Sequence, residues 1–178
     1  MTIREVLINI RERLQNAGIE DFEYESWAFL DWKLHINRAE FYMNPNGEVK
    51  EELLAELESV LKQREQRVPL QYLMGECEFM GYDFYVDERV LIPRQDTECL
   101  VELAVEDIRN RKTQNRCESN NTADRKNEQK VKVLDLCTGS GCIGISVAKL
   151  CPDTEVTLAD ISEGALSVAK KNAQNLDA

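Results

Sequence analysis

The sequence holds a single histidine, His35, in 178 residues. One imidazole rules out a multi-histidine metal centre, and a nucleophile–histidine–carboxylate system would have His35 as its only base. His35 falls within an amphipathic helical pattern, where it reads as a packed or half-exposed side chain. Six cysteines are present, but none forms C-x-x-C, and their scatter gives no disulfide framework. A reduced, metal-free, cytoplasmic protein is expected. No apolar run approaches the length of a membrane span, so no membrane partner is expected. The opening MTIREVLINIRERL interleaves charges with apolar residues and is not a signal peptide. Basic residues are scarce too. There are 22 Lys and Arg against 33 Asp and Glu, a net charge of −11. Binding a phosphate backbone needs a surplus of the opposite sign, so direct contact with nucleic acid is not expected.

What is present begins with helical periodicity. Ile3, Val6, Leu7, Ile10 and Leu14 recur at helical spacing. Thr2 with Glu5 makes a capping box, and Gly18 closes the helix. A second helix carries Trp27, Leu30 and Leu34. Asn37 with Glu40 caps a short third helix that ends at Asn44-Pro45. A fourth is predicted from about Glu48 to Arg67 and is stopped by Pro69. Residues 1–72 therefore read as a helical bundle, of a size that serves docking more often than chemistry. Residues 73–92 read as a linking β-hairpin, because Cys77, Phe79, Tyr82, Phe84 and Val86 alternate about Met80-Gly81. A short buried strand, Val90 to Ile92, is expected before Pro93. Asp96 or Thr97 caps a helix that runs to Ile108. Residues 109–130 contain no Ile, Leu, Val, Met or aromatic residue. So little apolar surface cannot offset the entropy of ordering, and a flexible insertion is predicted there.

From Val131 an α/β pattern takes over within the segment 93–178. A strand over 131–136 leads to a glycine loop and a helix, and a second strand over 155–159 ends at Asp160 before the last helix. This is the opening of a doubly wound, parallel, Rossmann-like sheet. The loop, LDLCTGSGCIG, carries Gly139-x-Gly141-x-x-Gly144, a spacing that lets a backbone turn tightly and face a ligand. Asp160 stands where a carboxylate accepts from both hydroxyls of a ribose, which fits a nicotinamide dinucleotide and S-adenosylmethionine alike. Asp135 separates the two. A carboxylate repels a pyrophosphate and attracts a sulfonium and an ammonium. Each acid also has a plainer reading, Asp135 as a cap of the loop's own N–H groups and Asp160 as the N-cap of the last helix. Cys137 and Cys142 read as small packing residues.

The segment RVPLQYLMGECEFMGYDFYVDERVLIPRQDTECLVE, Arg67 to Glu102, followed by VLDLCTGSGCIGISVAK, resembles the protein-(glutamine-N) methyltransferases that modify peptide chain release factors. The IPRxDTE portion is far more specific than the glycine loop. The resemblance implies a helical docking bundle, a linking hairpin and the first part of a class I methyltransferase domain. It implies that S-adenosylmethionine is the cofactor, held by Asp135, Cys137, Thr138, Gly139, Ser140, Gly141 and Asp160. It also implies that a release factor is the partner, through the glutamine of its Gly-Gly-Gln loop. Cys137 replaces the family's usual first glycine. The family's amide-holding motif, Asn-Pro-Pro-Tyr, does not occur in these 178 residues. The chain is therefore expected to be an inactive N-terminal fragment with no catalytic residue of its own. Its Val131, Val133 and Leu136 should lie beside an unpaired sheet edge, with apolar surface bare on both faces. An amino-methyltransferase acting on nucleic acid and a non-catalytic docking module stay open as alternatives.

Overall fold

The structure, a computed structural model, describes residues 1–118 and 130–178. It contains two compact units, Met1–Met74 and Gly75–Ala178. The first is all-helical: α1 (Ile3–Asn16), α2 (Phe22–Leu34), α3 (Arg38–Met43), α4 (Glu51–Glu65) and α5 (Leu70–Met74). Both predicted capping boxes form, Thr2 with Glu5 and Asn37 with Glu40, so orphan N–H groups at two helix starts are satisfied locally. Helix α4 begins later than predicted because Val49 N–H is engaged by the Met1 carbonyl and Thr2 bridges Glu48. The core is built from Ile10, Leu14, Phe29, Leu30 and Leu61, each at most 1% exposed. His35 ends α2 with φ +54 and is exposed rather than packed. Helix α5 has no counterpart in the sequence reading. Pro69 both stops the preceding helix and opens this one, since its carbonyl accepts from the Tyr72 and Leu73 N–H groups.

Ion pairs brace this bundle. Arg64 donates twice to Glu25, Nε to Oε2 at 2.7 Å and Nη2 to Oε1 at 2.9 Å, and both side chains are nearly buried. Arg13 bridges Glu58 and Glu65 nearer to solvent.

The second unit opens with the predicted hairpin, β1 (Glu76–Phe79) and β2 (Tyr82–Tyr85), antiparallel. Met80 and Gly81 at its tip have φ +53 and +74, both left-handed, as a two-residue hairpin turn requires. Glu98 accepts the Met80 N–H at 2.7 Å and so fastens the tip. Phe79 and Phe84 meet edge to face and pack in one cluster with Val101, Val105 and Ile108 of α6 (Glu98–Glu118). No strand forms at 90–92. Leu91 is 76% exposed and only Val90 is buried, and the Val90 N–H donates within a turn to the Asp87 carbonyl at 3.1 Å. Helix α6 continues through 109–118, the start of the expected insertion. Arg, Lys, Gln and Glu have high intrinsic helix propensity, and Asp107 pairs with Arg111 one turn on. The rest of that insertion, 119–129, lies outside the described residues.

Strands β3 (Val131–Leu136) and β4 (Thr154–Ala159) are parallel, with Asp135 opposite Leu158 and Leu136 opposite Ala159. They are followed by α7 (Cys142–Leu150) and α8 (Glu163–Asn175) respectively. Val131, Val133, Val156 and Leu158 join the core formed with α6 and α7. Only one face of the strand pair is therefore bare, not both. On that face Leu134 and Leu136 are 63% and 69% exposed, because alternate residues of a strand point to opposite sides. No described helix is long and apolar enough to cross a membrane.

Candidate cofactor-binding site

The loop between β3 and α7 is shaped by three residues with left-handed backbone, Cys137 at φ +63, Gly139 at +56 and Gly141 at +82. Hydrogen bonds from both strand ends hold it. The Thr138 N–H donates to the Ala159 carbonyl at 3.0 Å, and the Gly141 N–H to the Thr138 carbonyl at 2.8 Å. Asp135, buried at the end of β3, accepts through Oδ2 from the Thr138 hydroxyl at 2.6 Å and from the Gly144 N–H at 2.9 Å. At the end of β4, Asp160 accepts through Oδ2 from the Gly139 N–H and through Oδ1 from the Ser162 N–H, both at 2.9 Å.

These bonds sort the seven expected site residues into two groups. Thr138, Ser140 and Gly141 are buried and turn inward, and Asp135 braces them from behind. The Asp135 carboxylate thus takes the plainer of its two readings and caps the loop. Its chemistry explains why: a carboxylate beneath a helix N-terminus meets unpaired N–H groups and the positive end of the dipole. Cys137, Gly139 and Asp160 face outward. Nothing lies within 4 Å of where a Gly139 Cβ would stand, so a ligand can approach the backbone there. Asp160 is not the N-cap of α8; Ser162 is, accepting from the Ala165 N–H. Asp160 Oδ2 spends one lone pair on the loop at Gly139 and Oδ1 spends one on Ser162, which leaves each oxygen a further lone pair for a ligand hydroxyl.

The electrostatics follow from the same bonds. N–H donation from Ser162 and Gly139 holds the Asp160 carboxyl below the ordinary carboxylate range. The grip of Asp160 on the loop is therefore in force above the unfolded-state value and is lost only as pH falls through the lowered folded one. No Lys or Arg occurs between Lys132 and Lys149. A loop flanked by two carboxylates and lacking a cation suits a ligand with positive charge and hydroxyls better than a pyrophosphate. Among the described residues, no group of three or more His, Cys, Asp or Glu is placed to hold a metal ion.

Cys137 pays a backbone cost that glycine would not, since its Cβ crowds the carbonyl in the left-handed region. Cys137→Gly is expected to raise unfolding stability by about 1 kcal/mol, read by urea denaturation of the second unit. No change in the midpoint would show that this φ carries no strain.

Two residues escaped the sequence reading. Ile161, directly after Asp160, is fully exposed. An isolated isoleucine in a turn beside an acid was the available signal. Asn172 is fully buried on the apolar face of α8. An amide interrupting the run Ala165, Val168, Ala169, Ala173 was visible in the sequence, but its partners were not.

Comparison with known proteins adds to this geometry. Residues 5–75 match a family model described as the PrmC N-terminal domain, and residues 121–178 match one described as the methyltransferase small domain. The chain is 37% identical over 177 residues to a release factor glutamine methyltransferase of Clostridium acetobutylicum, covering 99% of this chain and 56% of that protein. It is 35% identical over 173 residues to one of Geobacter sulfurreducens, covering 97% of this chain and 54% of that protein. It is also 33% identical over 172 residues to a bifunctional methyltransferase of Rickettsia typhi, covering 96% and 33%. The chain spans about half the length of the first two relatives.

Proposed function

The chain belongs to the family of release factor glutamine methyltransferases, and on that premise we propose what the whole protein does. It transfers a methyl group from S-adenosylmethionine to the side-chain amide nitrogen of the Gly-Gly-Gln glutamine of a peptide chain release factor, in the cytoplasm. Residues 1–72 form the docking bundle, 73–92 the linking hairpin, and 93–178 belong to the cofactor-binding domain. The observation that carries this reading is the loop 137–141, opened at Gly139 and gripped at its outer lip by Asp160. When bound, S-adenosylmethionine supplies a methyl group activated by a sulfonium. The residues fit such a group. Asp160 has acceptor capacity for ribose hydroxyls, and the exposed Ile161 offers an apolar face beside it. The Gly139 backbone permits close approach, and Cys137 and Gly141 set the turn. Asp135, Thr138 and Ser140 keep that turn rigid from within, which lowers the ordering cost of binding.

Asn-Pro-Pro-Tyr is absent from the 178 residues, and these residues by themselves are expected to bind cofactor without transferring methyl. Calorimetry with S-adenosylhomocysteine and with NAD tests the first part. Binding of the former is expected, weakened about 10- to 100-fold in Asp160→Ala by loss of charge-assisted hydrogen bonds. Tight NAD binding with no response to S-adenosylhomocysteine would overturn the cofactor assignment. A radiolabelled methyl assay with release factor tests the second, and turnover by residues 1–178 alone would overturn it.

A further inference from the structure

Asn172 is a fully buried amide whose three hydrogen bonds reach two distant segments. Its Oδ1 accepts the Tyr85 N–H at 2.7 Å. Its Nδ2 donates to the Tyr85 carbonyl at 2.9 Å and to the Ser140 carbonyl at 2.8 Å. Both amide hydrogens are used, one on each segment. Tyr85 ends strand β2 and lies 87 residues before Asn172 in sequence. Ser140 sits between the two left-handed glycines of the loop. Tyr85 is itself fixed, with its hydroxyl donating to Asp87 at 2.9 Å and Lys171 Nζ 3.0 Å from its ring centroid. The hairpin end is thus a rigid post, and Asn172 is the only described side chain that ties the loop to it.

We propose that Asn172 is a positioning residue, holding the Ser140 peptide in the orientation that makes the 137–141 loop ready for cofactor by linking it to the hairpin at Tyr85. The proposal rests on the reading of this loop as the cofactor site. A carbonyl is the natural target for such control. The Ser140 carbonyl shares its peptide plane with the Gly141 N–H, which the Thr138 carbonyl holds on one edge; Asn172 holds the opposite edge, and the two bonds together fix the rotation of that plane. Aliphatic side chains on α8 would fill the same space without fixing that plane. An amide alone can accept from one backbone and donate to two others.

The test exploits the chemistry of Asn172→Asp. A carboxyl keeps the acceptor for the Tyr85 N–H. Ionised, it sets negative charge against the Ser140 and Tyr85 carbonyls; protonated, it regains one donor. Binding of S-adenosylhomocysteine to Asn172→Asp should therefore be at least about ten-fold weaker than wild type at pH 8 and should recover as the pH falls toward 5.5. Asn172→Ala should be weak throughout, with no recovery. Other ionisable groups around this point are Tyr85, Asp87 and Arg89 on the hairpin side, Lys171 on α8, and Asp135, Cys142 and Asp160 on the loop side. Arg89 holds Asp87 below the ordinary carboxylate range, as the N–H donors do Asp160, while the bond to Asp87 raises the Tyr85 phenol and burial raises the Cys142 thiol. All seven are common to the three proteins, so a recovery confined to Asn172→Asp belongs to the new carboxyl.

Amide exchange on the wild type keeps the proposal testable if a variant does not fold. The Tyr85 and Gly141 N–H groups should open with the same free energy, and S-adenosylhomocysteine should protect both. Affinity of Asn172→Asp equal to wild type at pH 8 would overturn the proposal. So would protection of Gly141 by ligand with none at Tyr85. If the wild type binds no S-adenosylhomocysteine, the cofactor reading fails. The link itself then stands or falls on whether Tyr85 and Gly141 open together.

Discussion

Gly144→Ala should destabilise the second unit by about 3 kcal/mol and lower its melting temperature by on the order of 10 °C or more. Gly144 lies in the first turn of α7, where that helix crosses the ends of β3 and β4. A Cβ built there would stand 2.3 Å from Leu158 Cδ2, 2.9 Å from Asp135 Oδ2 and 3.1 Å from Asp135 Cβ. Contacts under 3.0 Å essentially do not occur, so the buried Leu158 and Asp135 side chains, or the helix itself, must shift. A shift of Asp135 also strains its bond from the Gly144 N–H, the donor that a buried carboxylate would lose. The third glycine of the loop pattern is thus required by packing rather than by ligand approach. Gly139→Ala provides the contrast. There the Cβ meets nothing within 4 Å, and only the left-handed φ of +56 is penalised, about 1 kcal/mol. Thermal unfolding followed by circular dichroism separates the two. Equal losses in both variants would mean that the close approach of α7 to the strands does not limit stability. Both tryptophans, Trp27 and Trp32, belong to the first unit, so their fluorescence serves as an internal control.

In the first unit the largest loss is expected from Arg64→Ala, about 3–5 kcal/mol, read by tryptophan fluorescence in urea. Arg64 and Glu25 have side chains only 13% and 10% exposed. Their two bonds match the fork of a guanidinium to both carboxylate oxygens. Removing the arginine leaves the Glu25 charge buried without a partner, and the desolvation cost stays while the compensation goes. The Val68 carbonyl also loses its donor from Nη1. Replacing both residues by apolar ones, Glu25→Leu with Arg64→Met, should recover most of the loss, because no charge then remains buried. A single variant as stable as wild type would show that water reaches Glu25 freely. Arg13→Ala is expected to cost less, about 1 kcal/mol, since its partners Glu58 and Glu65 are 44% and 31% exposed and solvent replaces the lost contact.

Signals that act over three or four residues were readable from the sequence alone. The capping boxes at Thr2 and Asn37, the alternation around Met80-Gly81, and the strand–glycine–helix passage from Val131 to Leu150 are of this kind, and each formed. Periodicity and capping need only neighbours along the chain, so no knowledge of distant contacts was required. The same holds for the family resemblance, which rests on contiguous segments. What the tertiary structure alone decided is where individual polar side chains spend their hydrogen bonds. Asp135 could have faced a ligand, but two donors of the folded loop turn it inward. Asn172 could have been a surface residue of α8, but the Tyr85 backbone and the Ser140 carbonyl meet it there. Glu25 and Arg64 lie 39 residues apart, with nothing in either neighbourhood to announce the other. Conversely, residues 90–92 had strand composition, yet Val90 closes a turn, and α6 ran ten residues past Ile108, the last apolar residue of its predicted stretch. A buried polar group must find a partner wherever packing brings one, and that choice is made by contacts remote in sequence.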